Sequence, residues 1–169
     1  MNAMRKADGT YRTYEEMKAE GIPTKYEAVH SNGSIPGLIP TDPITGQGNP
    51  SPDYTYTLNM AEVEVDTKTG KTTVLRYVCV DDVGVIGNIQ AMEGQAYGGI
   101  SHCIGFALSE NYEDVKKHNN PYSCGIPYIK DIPDDIVLIH NETVREFGPF
   151  GSSGASEAFQ SAGHMAVIN

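Results

Sequence analysis

Basic residues are scarce in this chain. Against 22 Asp and Glu, its 169 residues include only 12 Lys and Arg, a formal charge of −10 at pH 7. Nucleic acids and anionic bilayers are polyanions, so this balance argues against both as partners. Cysteine is sparse too: Cys79, Cys103 and Cys124 are odd in number and widely spaced. That fits a reducing cytoplasm better than a disulfide framework. No two of them form a CxxC, so a zinc or iron–sulfur site built within the chain is not expected. The histidines (30, 102, 118, 140 and 164) show no i, i+4 pair and no HxH, and no side chain is assigned to a metal. No apolar stretch approaches the roughly 20 residues needed to span a bilayer. The polar opening MNAMRKADGTYRTYEEMKAEG lacks the apolar core of a secretory signal. The expectation is a cytoplasmic protein with no membrane segment.

What is present describes a globular chain. Hydrophobic content of 39% and charged content of 20% allow one domain with a core, or two small lobes. Eighteen glycines and ten prolines make it rich in turns. Thr13 to Gly21 has helical composition and stops before Ile22-Pro23. Residues 26–53 form a long excursion dense in Gly, Pro, Ser, Asn and Asp. Tyr54 to Asp66 alternates apolar and polar residues, and DTKTGK separates it from TTVLRYVCVDDVG, which predicts a hairpin. Val63, Val65, Val74 and Val78 are expected on its core face, with Tyr54 and Tyr56 half-buried. Asp81, Asp82, Glu62 and Glu64 read as turn or solvent-face carboxylates, and Met92 and Met165 as core fillers.

Asn88 to Tyr112 carries Ile100, Ile104, Ala107 and Leu108 at helical spacing. Gly98, Gly99 and Gly105 in that helix need a tertiary reason, because each costs roughly 1 kcal/mol relative to Ala. Residues 113–135 read as a polar excursion, and Ile136 to His140 as a buried strand. SAGHMAVIN, at 161–169, resembles the first turns of a helix with no cap after it, so the C-terminus looks incomplete. The fold class expected is α+β: a hairpin-based antiparallel or mixed sheet, one or two packed helices and long irregular loops.

The stretch FGPFGSSGASEAF, at 147–159, places one carboxylate, Glu157, after a loop of small residues. It lacks the spacing of a nucleophile elbow and the lysine of a Walker loop. Two readings stay open on the residues alone. Glu157 stabilises the start of a helix beginning near Ala158, or the loop cradles an anion with its backbone amides.

Several stretches taken in order add to this. Asp82-Val83-Gly84, Asn88, Gly94-Gln95, Gly98-Gly99 and Leu108-Ser109-Glu110 follow one another, and GPFGSSGASE comes later. This series resembles the last third of the molybdenum-binding subunit of the xanthine dehydrogenase/aldehyde oxidase family. MRKADGTYRTYEEM and IPTKY are similar to its bacterial aldehyde oxidoreductase branch, and the likeness covers nearly the whole chain.

The resemblance implies a single fragment, 1–169, of a molybdopterin-binding domain. Residues 1–53 would be a helix and irregular loops, 54–112 the hairpin and Gly-rich helix, and 113–169 loops, a short strand and the glutamate loop. It implies that Glu157 is the active-site base, taking a proton from a metal-bound hydroxyl. Gln95 and Gly94 would bind the pterin, with Gly154, Ala155 and Ser156 against the molybdenum ligands. The cofactor implied is molybdopterin as a cytosine dinucleotide, and the substrate an aldehyde or N-heterocycle. The implied partners are the rest of the molybdenum subunit and its iron–sulfur domains.

Ser156 stands where the family has glycine; if that position needs φ > 0, strain of about 1–2 kcal/mol is expected. Exposed former contact surfaces would favour self-association, a homo-oligomer. The isolated chain is expected to be inactive. The alternative is a non-catalytic remnant serving as an assembly or structural module.

Overall fold

The computed structural model describes residues 5–29 and 35–169. The first four residues, His30 and part of the 26–53 excursion lie outside them. The chain forms two compact units, divided at Ser34/Ile35.

In the first unit, α1 (Tyr14–Ala19) opens on a capping box. Thr13 Oγ1 accepts from the Glu16 N–H at 3.2 Å, and Glu16 Oε2 accepts from the Thr13 N–H at 2.8 Å. This pairing satisfies two amides that a helix start leaves without partners. Met17 is the residue of α1 that is buried.

The second unit holds β1 (Tyr56–Val65), β2 (Thr72–Asp82), α2 (Ile89–Leu108), β3 (Asp135–Asn141) and α3 (Gly163–Ile168). The hairpin is antiparallel, and β3 pairs with β2 in parallel, giving a mixed sheet in the order β1-β2-β3. The parallel pair requires a crossover, which α2 and the loops after it supply. Asn88 caps α2 by accepting from the Ala91 N–H at 3.0 Å, and its C-terminal cap is Ser109. The fold is α+β. Among the described residues no helix is long and apolar enough to cross a membrane.

The core lies between the sheet and the layer of α2, α3 and a 3-10 turn at Ser156–Phe159. Tyr77, Cys79, Ile100 and Phe159 are fully buried there, with Val74, Val83, Met92, Ala96, Ile104 and Val167 around them. Burial pushes the Cys79 thiol up to about 12 and raises that of Cys103, so neither is an ionised nucleophile at neutral pH.

The face expected of the hairpin needs correction. Glu62 pairs with Arg76 but Val63 with Val74, which leaves Leu75 unopposed in a bulge. A bulge resets the two-residue alternation. Val74 is therefore buried in phase with Tyr77, Cys79 and Asp81, whereas Val78 falls on the opposite face. Val63 and Val65 lie at the exposed end of β1. Tyr54 and Tyr56 are also exposed, as is Met165, while Met92 is buried as expected.

On β1 it is Thr57, Asn59 and Ala61 that are part-buried, with Tyr56, Leu58 and Met60 outward. The outward face thus carries two apolar rows, Met60–Val78–Val137 and Leu58–Val80–Ile139.

Candidate active site

The glutamate loop is built by tying a glycine-rich segment to the end of β2. Gly84 has φ 74°, and a Cβ added there would fall 2.4 Å from the Gly151 carbonyl oxygen. Only glycine permits both that conformation and that approach. The Val85 N–H donates to the Gly151 carbonyl at 3.0 Å, and the Ser153 N–H to the Val83 carbonyl at 2.7 Å. Ser152 Oγ donates to the Val85 carbonyl at 2.5 Å.

Asp82 and Arg145 anchor the same junction. Arg145 donates one guanidinium nitrogen to both the Asp82 carbonyl and Asp82 Oδ1, each at 2.8 Å. The Gly84 and Thr143 N–H groups also donate to Oδ1, at 3.1 and 3.2 Å. Burial pushes the Asp82 carboxyl up, but the Thr143 side chain, these amides and Arg145 outweigh it and hold the group at about 2. Its neighbour Asp81 is no surface carboxylate: it is 2% exposed and pairs with His140 Nδ1 at 2.6 Å. Burial raises Asp81 above the usual carboxylate range, against the pull of His140.

Glu157 follows at the second position of the 3-10 turn. The helix expected near Ala158 is this single turn, and α-helix resumes only at Gly163. Glu157 is exposed, and no described side chain or backbone group is hydrogen-bonded to its carboxylate. Ser156 does not take a positive φ, so the strain expected there is absent; among non-glycine residues it is Phe150, φ 56°, that does.

Two clefts meet at this loop. One, of about 560 Å³, is lined by Thr55, Gly154, Ala155, Ser156, Glu157 and Ala158, with Ser161 at its edge. The other, of about 250 Å³, lies between the α2 N-terminus and the serines, with Asn88, Ala91, Gln95, Ser152, Ser153 and Ala155 among its walls. Ala155 borders both. The structure therefore gathers Glu157, Ser156, Ala155 and Gly154 in one cleft and puts Gln95 in the adjoining one. Gly94 lines neither; it is exposed on α2.

The second cleft is mostly apolar, with Val83, Val85, Ile86 and Met92 also in its walls. Gln95 brings to it a primary amide, two donors and an acceptor, with no partner among the described residues. Sequence reasoning missed Thr55, Asp81 and His140. For Asp81 there was a signal: it continues the buried phase of Tyr77 and Cys79, where a charge needs a partner.

With this geometry in place, known proteins can be compared. Residues 2–133 match the model of the molybdopterin cofactor-binding domain, and the chain belongs to that family. It is 42% identical over its whole length to the aldehyde oxidoreductase of Megalodesulfovibrio gigas, of which it spans 18%. Over 63% of the chain and 12% of the relative, it is 34% identical to a probable hypoxanthine oxidase of Escherichia coli K12. The crystal structure of the Desulfovibrio desulfuricans aldehyde oxidoreductase superposes on 99% of this chain and 18% of that one, with TM-score 0.78 and 45% identity. Quinoline 2-oxidoreductase of Pseudomonas putida matches 63% of the chain and 14% of its own, with TM-score 0.57 and 34% identity. The chain thus spans about a fifth of these aldehyde oxidoreductases.

Proposed function

We propose that this chain is the part of a molybdenum-dependent aldehyde oxidoreductase or hydroxylase that supplies the general base, Glu157. It would also form one wall of the cofactor pocket, with Gln95, beside Gly94 on α2, toward the pterin and Gly154, Ala155 and Ser156 against the molybdenum ligands. One observation carries the reading. In a chain of the molybdopterin-binding family, the unpartnered Glu157 carboxylate stands on a turn of small residues, across Ala155 from the cleft that Gln95 lines.

Molybdenum carried by molybdopterin, as its cytosine dinucleotide, would supply when bound a Lewis acid and a two-electron acceptor. The chain's own part is the proton. A Glu157 carboxylate oxygen takes it from the water-derived nucleophile as that oxygen attacks the carbon of an aldehyde or N-heterocycle; such a base contributes about 10²–10⁴-fold. Gly154 and Ala155 leave the approach to this carboxylate open, and Gln95 orients the pterin edge through its amide.

A base works best where water is excluded, and Glu157 here is exposed. The missing walls belong to the rest of the molybdenum subunit, whose iron–sulfur domains would take the electrons. The isolated chain is therefore inactive in this reading. In the molybdenum-loaded enzyme that contains this chain, Glu157→Gln is expected to lower kcat at least 100-fold with molybdenum content unchanged. Wild-type turnover in that variant would refute the assignment. Metal analysis and a dye-linked aldehyde assay on the isolated chain check the second point, which stoichiometric molybdenum would overturn.

A further inference from the structure

We infer that Thr55 and Thr57 are positioning residues that clamp the glutamate turn from both sides; the catalytic meaning of the clamp rests on the reading of Glu157 as base. Thr55 Oγ1 donates to the Gly154 carbonyl at 2.5 Å and lies 2.9 Å from Ser153 Oγ. Thr57 Oγ1 donates to the Ala158 carbonyl at 3.3 Å. The two carbonyls flank Glu157, one before it and one after it.

Thr57 lies on β1 and Thr55 in the segment that runs straight into it, so the chain acts as a ruler. Residues two apart on an extended strand point the same way and sit about 6.5 Å apart, so both hydroxyls face one segment at a fixed interval. The turn cannot hold itself. At its ends the Ala158 N–H donates to the Ala155 carbonyl at 3.2 Å and the Gln160 N–H to the Glu157 carbonyl at 3.1 Å. A lone 3-10 turn of four residues does not persist in water. Upstream, the loop is fixed only as far as Ser153, by its bond to Val83; downstream, Phe159 is fixed by burial. Between those points Ala155 rests against the core and Ser161 Oγ also donates to the Ala158 carbonyl, at 3.0 Å; the hydrogen bonds that reach residues 154–158 from another part of the fold are those of the two threonine hydroxyls.

Their placement also accounts for an oddity of β1. Thr57 and Asn59 point inward, beside Ala61, while Tyr56, Leu58 and Met60 point outward, unlike the usual half-buried strand. The Thr57 hydroxyl meets a backbone acceptor of the turn, so burying it is not costly, whereas the Asn59 amide has no partner among the described residues. A hydroxyl bonded to a nearby carbonyl is commonplace. Two of them, Thr57 on β1 and Thr55 just before it, bracketing the only acid of the turn, make a device that holds that acid in place.

The test uses valine, which keeps the β-branched shape and strand preference of threonine while removing the hydroxyl. In the full chain, amide hydrogen exchange at Ala158 and Gln160 is expected to accelerate at least tenfold in Thr55→Val and in Thr57→Val. Exchange at Ile100 and Ile104 in α2 should stay unchanged. Thr55→Ser and Thr57→Ser should restore slow exchange at the turn. Wild-type exchange in both valine variants, or serine variants as fast as valine, would overturn the clamp. If one valine variant fails to fold, the other and the two serine variants still decide it.

In the molybdenum-loaded enzyme, the valine variants should lower kcat about tenfold with KM within twofold, and serine should restore it. A rise in KM alone would overturn the positioning role. Should Glu157→Gln leave turnover intact, the base assignment fails by that result alone, while the exchange measurement still decides the clamp.

Discussion

Gly99 and Phe159 compete for one volume: a Cβ added to Gly99 would fall 2.4 Å from the Cβ of Phe159. Phe159 is fully buried and closes the turn that carries Glu157. The helix therefore gives up a side chain so that this ring can fill the core beside it. The tertiary reason that the sequence demanded of Gly99 is this contact. Gly98, one residue earlier, has nothing within 4 Å of an added Cβ.

The neighbouring glycines should thus respond with opposite signs. Gly99→Ala forces two anchored atoms apart, a cost of about 1–3 kcal/mol, only partly offset by about 1 kcal/mol of helix propensity. Net destabilisation is expected. Gly98→Ala meets open space and is expected to stabilise the chain by up to about 1 kcal/mol. Urea denaturation of the two variants measures both.

Asp82 sets an acid limb to stability. Its folded value is held at about 2, below the 3.8 of an ordinary aspartate. The folded state therefore binds this proton less readily than the unfolded chain. The stabilisation is present above pH 4 and is lost as pH falls toward 2. Asp82→Asn should be less stable than wild type at pH 6, with the gap closing by pH 2. Denaturation midpoints across that range test the sign.

The Asp81–His140 pair should be costly to break and cheap to replace. Removing one member of a buried pair leaves the other without compensation, a loss of about 3–5 kcal/mol. Asp81 Oδ1 and His140 Nε2 already lack partners, so nothing nearby can take over. His140→Ala is expected to destabilise by about 3 kcal/mol or more. The double variant Asp81→Leu/His140→Phe should recover most of that loss, because it exchanges the pair for apolar packing. A double-mutant cycle by chemical denaturation provides the check.

Sequence pattern made some of this legible and hid the rest, for identifiable reasons. The hairpin announced itself through the alternation of residues 54–66 and the turn DTKTGK. Which face is buried did not, because the bulge at Leu75 shifts the phase of β2 without any change in residue type. A strand with Thr57 and Asn59 inward also defeats a rule that expects apolar residues there. The turn at Ser156–Phe159 was read as a longer helix, since Ala158 and Phe159 suit a helix as well as a turn. The strain expected at Ser156 is absent because the positive φ sits upstream, on Phe150 and Gly151. Gln95 stands out only through the order of several short stretches, whereas Glu157 is conspicuous locally, as one carboxylate after a loop of small residues, and takes its role from that same order. Thr55, nearly 100 positions from Gly154, becomes meaningful only when the loop folds back on β1.

The outward face of the sheet has a consequence for how the chain behaves in solution. Leu58, Met60 and Ile139 are each about half exposed, in rows shared with Val78, Val80 and Val137. Such a surface is adhesive, while the charge of −10 keeps copies of the chain apart. The repulsion reaches about 10 Å at 0.1 M salt and about 3 Å at 1 M, but the attraction of apolar surface does not weaken with salt. Colloidal stability is thus governed by ionic strength: dilute buffer disperses the molecule and brine gathers it.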